Sequence, residues 1–353
     1  MSGEDQQPQR TPRNMQGLLN FCTAITARED APNNTSNPSV LDPERRQFLE
    51  NVLSSMTTNV AKVMAAHLQT LASSTDLHEQ MSECEEEEKA LDELIELVQD
   101  VDNANDLVKM GGFPVLLSCL DSPHALVLEL SCEVLAVVCQ NNPKCQDELL
   151  KHHGVLDKLL NLLDNNASPV TVKTKALFAV SCLIRGHEAA TAAFDERGGF
   201  SYLMRAMQLG EEKVFIKAIF LIAALLDEYK PAVAQLTSMG YSDLLVEYLC
   251  SGYLNGQPTC GVSAQRTSQT ACCTSDQCRE HCCSALLKLC SVSEEVKHKL
   301  AANDALCEAL KCRFDSIKNR DEVQEELQYI LALLVQLKKH QATPDVADDV
   351  ACR

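Results

Sequence analysis

Apolar residues recur at three- and four-residue spacing through most of the chain, and the pattern itself returns about every 43 residues. Lys175-Ala-Leu-Phe-Ala-Val-Ser-Cys-Leu-Ile-Arg185 reappears 42 residues later as Lys217-Ala-Ile-Phe-Leu-Ile-Ala-Ala-Leu-Leu-Asp227. A fainter copy, Cys132-Glu-Val-Leu-Ala-Val-Val-Cys-Gln-Asn-Asn142, lies 43 residues before the first. Between copies stands a glycine followed by an apolar run, at Gly112, Gly154, Gly199 and Gly240. The spacing predicts long helices over 87–100, 126–141, 170–185, 212–227 and 279–291. Shorter ones fill the intervals at 104–110 and 113–120, 146–153 and 155–163, 188–197 and 200–208, and 231–238 and 241–250.

Three helices in a period of forty-odd residues is the armadillo pattern rather than the two-helix HEAT pattern. The expected fold is all-α: an armadillo-like right-handed α-solenoid with helical caps and a disordered N-terminal tail. Its repeats cover 89–312, broken by an insertion at 251–275 rich in Gly, Gln, Thr and Ser. Asp42-Pro43 reads as a cap and first-turn proline opening a helix over 42–71. Residues 72–88 read as an acidic linker ending in Glu85 to Glu88. A final helix over 313–340, with Leu327, Ile330, Leu331, Leu334 and Leu337 on its apolar face, caps the stack, and 341–353 forms a loose tail. Stacked repeats of this kind bind partners along a concave face and rarely carry chemistry.

Composition narrows the partner. Fifty acids against 31 bases give a formal charge of −19, with no basic stripe to replace the counterions of a nucleic acid or to meet an anionic membrane. Aromatics are 4% and Trp is absent, so Leu, Ala and Val must supply the core. Of 18 cysteines, many fall inside helical patterns (Cys119, Cys132, Cys139, Cys182, Cys290), where a thiol acts as a small hydrophobe. With a polar N-terminus and no long apolar run, a reducing cytosol is the expected compartment.

No catalytic site is expected. The chain has no phosphate-binding Gly-rich loop with Lys-Ser/Thr, no Gly-x-Ser-x-Gly and no His-Glu-x-x-His. Cys272-Cys-Thr-Ser-Asp-Gln-Cys278-Arg-Glu-His281-Cys282-Cys283 carries zinc-type ligands, but two separated Cys-x-x-Cys pairs are missing and Cys282 and Cys283 fall on a predicted helix. No metal or cofactor is expected.

The candidate binding surface is the exposed face of the long helices. Aligning the copies places Asp100, Asn142, Arg185 and Asp227 at one last-turn position. Glu133, Gln140, Lys173, Ser181 and Lys217 share the same faces, forming a strip of mixed charge. Phe178 and Phe220 occupy one equivalent position near this strip and read as core first, or as anchors of the binding face. Outside the repeats, an apolar cluster interrupts the polar tail over 13–26: Met15, Leu18, Leu19 and Phe21, preceded by Arg10 and Arg13. It reads either as a segment packed on the first helix or as a short motif suited to a chaperone's peptide groove.

Arg13-Asn-Met-Gln-Gly-Leu-Leu, Glu44-Arg-Arg-Gln-Phe-Leu49, Asp102-Asn-Ala104, Val172 to Arg185 and Gly199-Phe-Ser-Tyr-Leu-Met-Arg-Ala-Met-Gln208 resemble, in order and spacing, the heat-shock-protein-70-binding protein 1 family. The resemblance covers about 12–340, leaving the 251–275 insertion outside it. It implies a cytosolic co-chaperone that is no enzyme and binds no nucleotide itself. Such a factor grips the nucleotide-binding domain of heat-shock protein 70 with its concave face and promotes ADP and client release. The resemblance also makes Arg13, Met15, Leu18, Leu19 and Phe21 a client mimic and singles out Arg185 as a contact. A monomer is expected. The alternative is an armadillo adaptor that tethers or inhibits chaperone or ligase complexes without driving exchange.

Overall fold

Helices of two kinds build the structure, a computed structural model that describes residues 59–75, 84–250, 253–254, 257–258 and 275–341. The chain divides into Met1–Thr58, wholly outside the described residues, and Asn59–Arg353. The tail cluster at 13–26, the helix start at 42–58 and the 341–353 tail beyond Gln341 therefore lie outside them.

Two helices come first, α1 (Val60–Thr75) and α2 (Glu85–Leu97). Five triplets follow. They are α3 (Val101–Lys109), α4 (Gly112–Cys119) and α5 (Ala125–Cys139); then α6 (Pro143–Leu150), α7 (Val155–Asp164) and α8 (Val170–Ile184). Next come α9 (Glu188–Glu196), α10 (Gly199–Met207) and α11 (Glu212–Glu228), and α12 (Pro231–Ser238), α13 (Tyr241–Cys250) and α14 (Asp276–Val292). The last triplet is α15 (Glu294–Ala301), α16 (Asp304–Ile317) and α17 (Gln324–Gln341). The two-residue strands β1 (Tyr253–Leu254) and β2 (Gln257–Pro258) pair antiparallel within the insertion, between the second and third helices of the fourth triplet.

The third helices stack in sequence as a ladder, α2 on α5, α5 on α8, α8 on α11, α11 on α14 and α14 on α17. Their apolar positions explain why. In α8, Val172, Ala176, Leu177, Ala179, Val180, Leu183 and Ile184 are all buried, more of the circumference than one contact could cover. Such a helix is satisfied only between two ladder neighbours and its own triplet.

The first four triplets turn at a glycine. Gly111, Gly154, Gly198 and Gly240 adopt φ of 78°, 84°, 69° and 75°, a left-handed conformation that side chains with a Cβ resist. In the two Gly-Gly pairs it is therefore the first glycine that repeats. The second is required by space instead, since a Cβ on Gly199 would come within 2.3 Å of the Phe194 ring, and one on Gly112 within 2.7 Å of Leu107.

Charged pairs join neighbouring repeats away from the ladder. Arg205 bridges to Asp164 (2.8 and 3.0 Å), Arg197 to Asp157 (3.3 Å), Lys299 to Asp243 (2.6 Å), and Lys158 to Asp121. All are exposed, so each contributes little alone.

Three expectations change. Glu85 to Glu88 are the first turn of α2, where carboxylates suit the positive end of the helix dipole, so the linker is shorter than 72–88. The predicted 313–340 helix is two helices: α16 ends at Ile317, a 3-10 turn covers Asp321–Val323, and α17 starts at Gln324. Lys318 to Glu322 carry no apolar residue, so nothing holds that stretch to the core as helix. α17 is also no separate cap beyond 89–312, since it is the third helix of a fifth triplet.

The break in that predicted helix is held by ions. Arg313 on α16 donates to both oxygens of Glu326 (2.7 and 2.6 Å) and to Asp276 (2.6 Å), while Arg320 donates to the other Asp276 oxygen (2.7 Å). Glu326 is 1% exposed. Burial pushes the Asp276 carboxyl up, but hydrogen bonds from Arg313 and Arg320 outweigh it and hold the group below its ordinary 3.8. Arg313→Met leaves Glu326 buried and unpaired, and denaturant unfolding will show a loss of about 3–5 kcal/mol. The Asp276 contribution is present above its unfolded value and is lost as pH falls through the lower folded one. Acid titration of Asp276→Asn will therefore show a shallower fall in stability below roughly pH 4 than the native chain.

Candidate functional site

The caps of the first helices fix how the repeats correspond. Asn142, His187 and Ser293 cap first helices and Tyr229 ends α11; each follows a third helix, with similar φ of −124°, −132°, −138° and −131° in that order. The step from α5 to α8 is thus 45 residues rather than the 43 of the sequence alignment, against 42 from α8 to α11. Counted from the caps, the last-turn position of the ladder holds Gln140, Arg185, Asp227 and Ser291. A second position, on the exposed side, holds Glu133, Phe178, Phe220 and Ser284.

This register corrects the alignment from sequence. Asp100 is the N-cap of α3, its carboxylate accepting from the Asp102 and Asn103 amides at 2.8 and 3.3 Å. Asn142 is 4% exposed and caps α6 by accepting from the Cys145 amide at 3.4 Å. Both are engaged in capping, because a helix start leaves amide hydrogens that a short polar side chain satisfies best. Lys173 is also withdrawn. It is 4% exposed, its Nζ donates to the Leu163 carbonyl at 3.1 Å, and burial pulls its ammonium down against the opposing pull of Asp164.

The remaining predicted residues lie on the ladder face. Gln140, Ser181, Arg185 and Lys217 line one groove of about 560 Å³ between the end of α5, α8 and α11. Asp227 lines a second, of about 720 Å³, among α11, α14 and α17, and pairs there with Lys288. Phe220 stands in both and is the wall they share. Glu133 is half-buried and pairs with Lys175 at 2.5 Å across the ladder.

Phe220, read first as core, is 59% exposed. Arg185 lies over its ring at 5.7 Å, and Lys217 lies over the half-buried Phe178 at 5.2 Å. Lys175 meets Glu133 along the same diagonal that Lys217 follows to Phe178, from a basic position on one helix to the exposed-side position on the helix before. An aromatic face attracts a cation without neutralising it. The pairing therefore holds Lys217 and Arg185 over apolar surface with their charge available, apart from Glu228 4.0 Å from Arg185. Below them, burial pushes the Cys182 thiol up to about 11 although Arg185 and Lys217 draw it down. It lines the floor of the groove as a thiol rather than a thiolate.

The second groove is more apolar. Ala223, Ala224, Leu287, Ala332 and Val335 form its sides, and Val335 and neighbouring Leu331 are exposed. Of this half of the face, beyond the shared Phe220, sequence reading named only Asp227 as a candidate. The 313–340 assignment gave α17 no place in the ladder, and the insertion hid the 64-residue step from Phe220 to Ser284.

Cys278, Cys282 and Cys283 are buried in the core on α14. Among the described residues no group of three or more His, Cys, Asp or Glu could hold a metal, and no helix is long and apolar enough to cross a membrane. Cys272 and Cys273 lie outside them.

Residues 103–342, all but the start of the triplet stack, match the family described as SIL1/FES1/HPBP1 C-terminal domain. Residues 15–107 match nucleotide exchange factor Fes1. The chain is 32% identical to mouse Hsp70-binding protein 1 over 336 residues, 92% of this chain and 86% of that protein. It is 32% identical to the human Hsp70-binding protein 1 over 333 residues, 92% and 85% of the two. Schizosaccharomyces pombe Hsp70 nucleotide exchange factor fes1 is 29% identical over 225 residues, 63% of this chain and 74% of that one. Among solved structures, a designed armadillo repeat protein superposes with a TM-score of 0.56 at 18% identity, covering 78% of this chain and 99% of its own. The armadillo-type α-solenoid is thereby established as the fold.

The contrast between the lysines is directly measurable. Amine-reactive labelling of the native protein, read by mass spectrometry, will modify Lys217 rapidly and leave Lys173 unmodified until unfolding. Equal labelling of the two would place Lys173 back on the surface.

Proposed function

The chain belongs to the SIL1/FES1/HPBP1 family, and from that premise we propose that it is a co-chaperone, a nucleotide exchange factor for chaperones of the Hsp70 class. The observation that carries this reading is the near end-to-end likeness to proteins named Hsp70-binding protein 1. The stack of triplets and the segment before it are both included.

The ladder face is the surface that engages the chaperone's nucleotide-binding domain. Its chemistry suits a folded protein: Phe220 and Val335 are exposed apolar anchors, and Arg185, Lys217, Gln140 and Ser181 supply polar contacts around them. Arg and aromatic residues in adjacent pockets are the usual energetic centre of a protein interface. Exchange imposes a further requirement. A factor that binds ADP-bound and ADP-free chaperone equally well shifts nothing, so this face must fit the ADP-free lobe arrangement better. ADP affinity then falls by the same factor, ATP enters and client leaves. The factor itself forms and breaks no covalent bond and takes no cofactor.

Arg13, Met15, Leu18, Leu19 and Phe21 act separately, as a client mimic in the chaperone's peptide groove. The support is the apolar composition of the segment with basic flanks, and a Fes1 match that starts at residue 15. The protein works as a monomer in the cytosol, a compartment suited to thiols such as Cys132, Cys139 and Cys283 buried unpaired in helix cores.

The test is release of labelled ADP from purified Hsp70. The native chain accelerates release, and Arg185→Ala and Phe220→Ala each weaken binding by about 1–2 kcal/mol without loss of helicity. Binding without acceleration would make the protein an adaptor instead, and unchanged binding by both variants would move the site off this face. Deleting 13–26 leaves ADP release intact and slows client release; a deletion that alters neither removes the mimic.

A further inference from the structure

Arg185 leaves α8 at a corner held from one side by its own triplet and from the other by the next. A helix end leaves its last carbonyls without amide partners. Here the Gln146 side-chain amide supplies them, its Nε2 lying 2.8 Å from the Cys182 carbonyl, 3.2 Å from that of Leu183 and 3.0 Å from that of Arg185 itself. Gln146 is on α6, outside the ladder, and is 2% exposed. From the other side, the Gly186 amide donates to the Glu228 carboxylate at 2.9 Å, at the end of α11 in the next triplet. Gly186 needs that anchor, since its φ of 69° turns the chain sharply away from the helix.

The arrangement is particular to this corner. Thr191 sits four residues beyond the cap His187, as Gln146 sits four beyond the cap Asn142. Thr191 bonds backward over only seven and four residues, to the Ile184 carbonyl that ends α8 and to the carbonyl of its own cap His187. Gln146 instead spans 36 to 39 residues to reach the end of α8. A buried amide that reaches across a triplet to three carbonyls around one exposed arginine fixes where that arginine's backbone stands.

We propose that Gln146 and Glu228 are positioning residues for Arg185, holding its guanidinium over the Phe220 ring and toward the first groove for contact with the chaperone. The inference rests on the reading that Arg185 touches the chaperone. Gln146 never meets the partner and acts only through Arg185. Glu228 has a double part, because the carboxylate that takes the Gly186 amide also lies 4.0 Å from the guanidinium. It thus limits the directions in which the arginine can turn.

A double-mutant cycle on the full chain tests this, with Hsp70 affinity measured by calorimetry and helicity and melting measured in parallel. Gln146→Met keeps the side-chain length and removes the donors. It is expected to weaken binding about five-fold, while adding it to Arg185→Ala produces no further loss. A loss that is the same in both backgrounds makes Gln146 merely structural and overturns the proposal. Glu228→Ala, at an exposed position that threatens no core, supplies the same test if Gln146→Met fails to fold. Its effect must likewise vanish in the Arg185→Ala background. Unchanged binding by Arg185→Ala alone overturns the contact assignment beneath both, an outcome distinct from uncoupled variants beside a weakened Arg185→Ala.

Discussion

Burial of the third helices is the constraint on which the rest depends. α5, α8, α11 and α14 are apolar around most of their circumference and cannot be covered by two short helices of their own triplet. Each must lie between its counterparts, and the ladder follows. So does its exposed edge, because a helix flanked on both sides and packed from behind has only one face left for solvent. The positions on that face repeat, so single substitutions along the chain set the chemistry of a continuous surface. Helix caps and glycine turns serve the same end by delivering each third helix in register with the last.

That register was mostly legible in the sequence, and its errors have physical causes. Helices at 170–185 and 212–227 were evident because their strong apolar copies lie 42 residues apart. The faint copy at Cys132 was placed two residues off because the α5-to-α8 step is 45 residues, unlike the 42 from α8 to α11. Asn142 consequently stood in a slot that belongs to Gln140. The repeating glycine was taken as the second of each Gly-Gly pair, although the left-handed turn falls on the first.

The candidate face was less legible than the fold. Lys173 reads as exposed because lysine usually is, yet its stem crosses the interior and its ammonium ends on the Leu163 carbonyl. Phe220 reads as core because phenylalanine usually is, yet its slot faces out, and Glu133 fills the same slot two repeats earlier. A position occupied in turn by Glu, Phe, Phe and Ser cannot be interior. That signal was present in the sequence but visible only once the 45- and 64-residue steps were known. Side-chain type alone misassigned Lys173 and Phe220 in opposite directions, while repeat register places both.

The same register explains how one face can combine apolar anchors with unneutralised charge. At a formal −19, a cation on this chain has many carboxylates to choose from. Lys175 takes Glu133, and Lys288 takes Asp227. Lys217 follows the diagonal that Lys175 follows, but meets Phe178 where Lys175 meets glutamate. Replacing the acid by a ring at one slot thus converts an internal ion pair into a cation presented over apolar surface. A ring attracts the ammonium by less than a desolvated carboxylate would, so binding a partner's acid there costs less in broken contacts than opening an existing ion pair. The cation-on-ring pairs fall at α8 and α11, the middle of the ladder, with the apolar second groove on one side and the Glu133–Lys175 pair on the other. Centre and flank then differ in kind, and a partner spanning both is fixed in direction along the stack as well as in position.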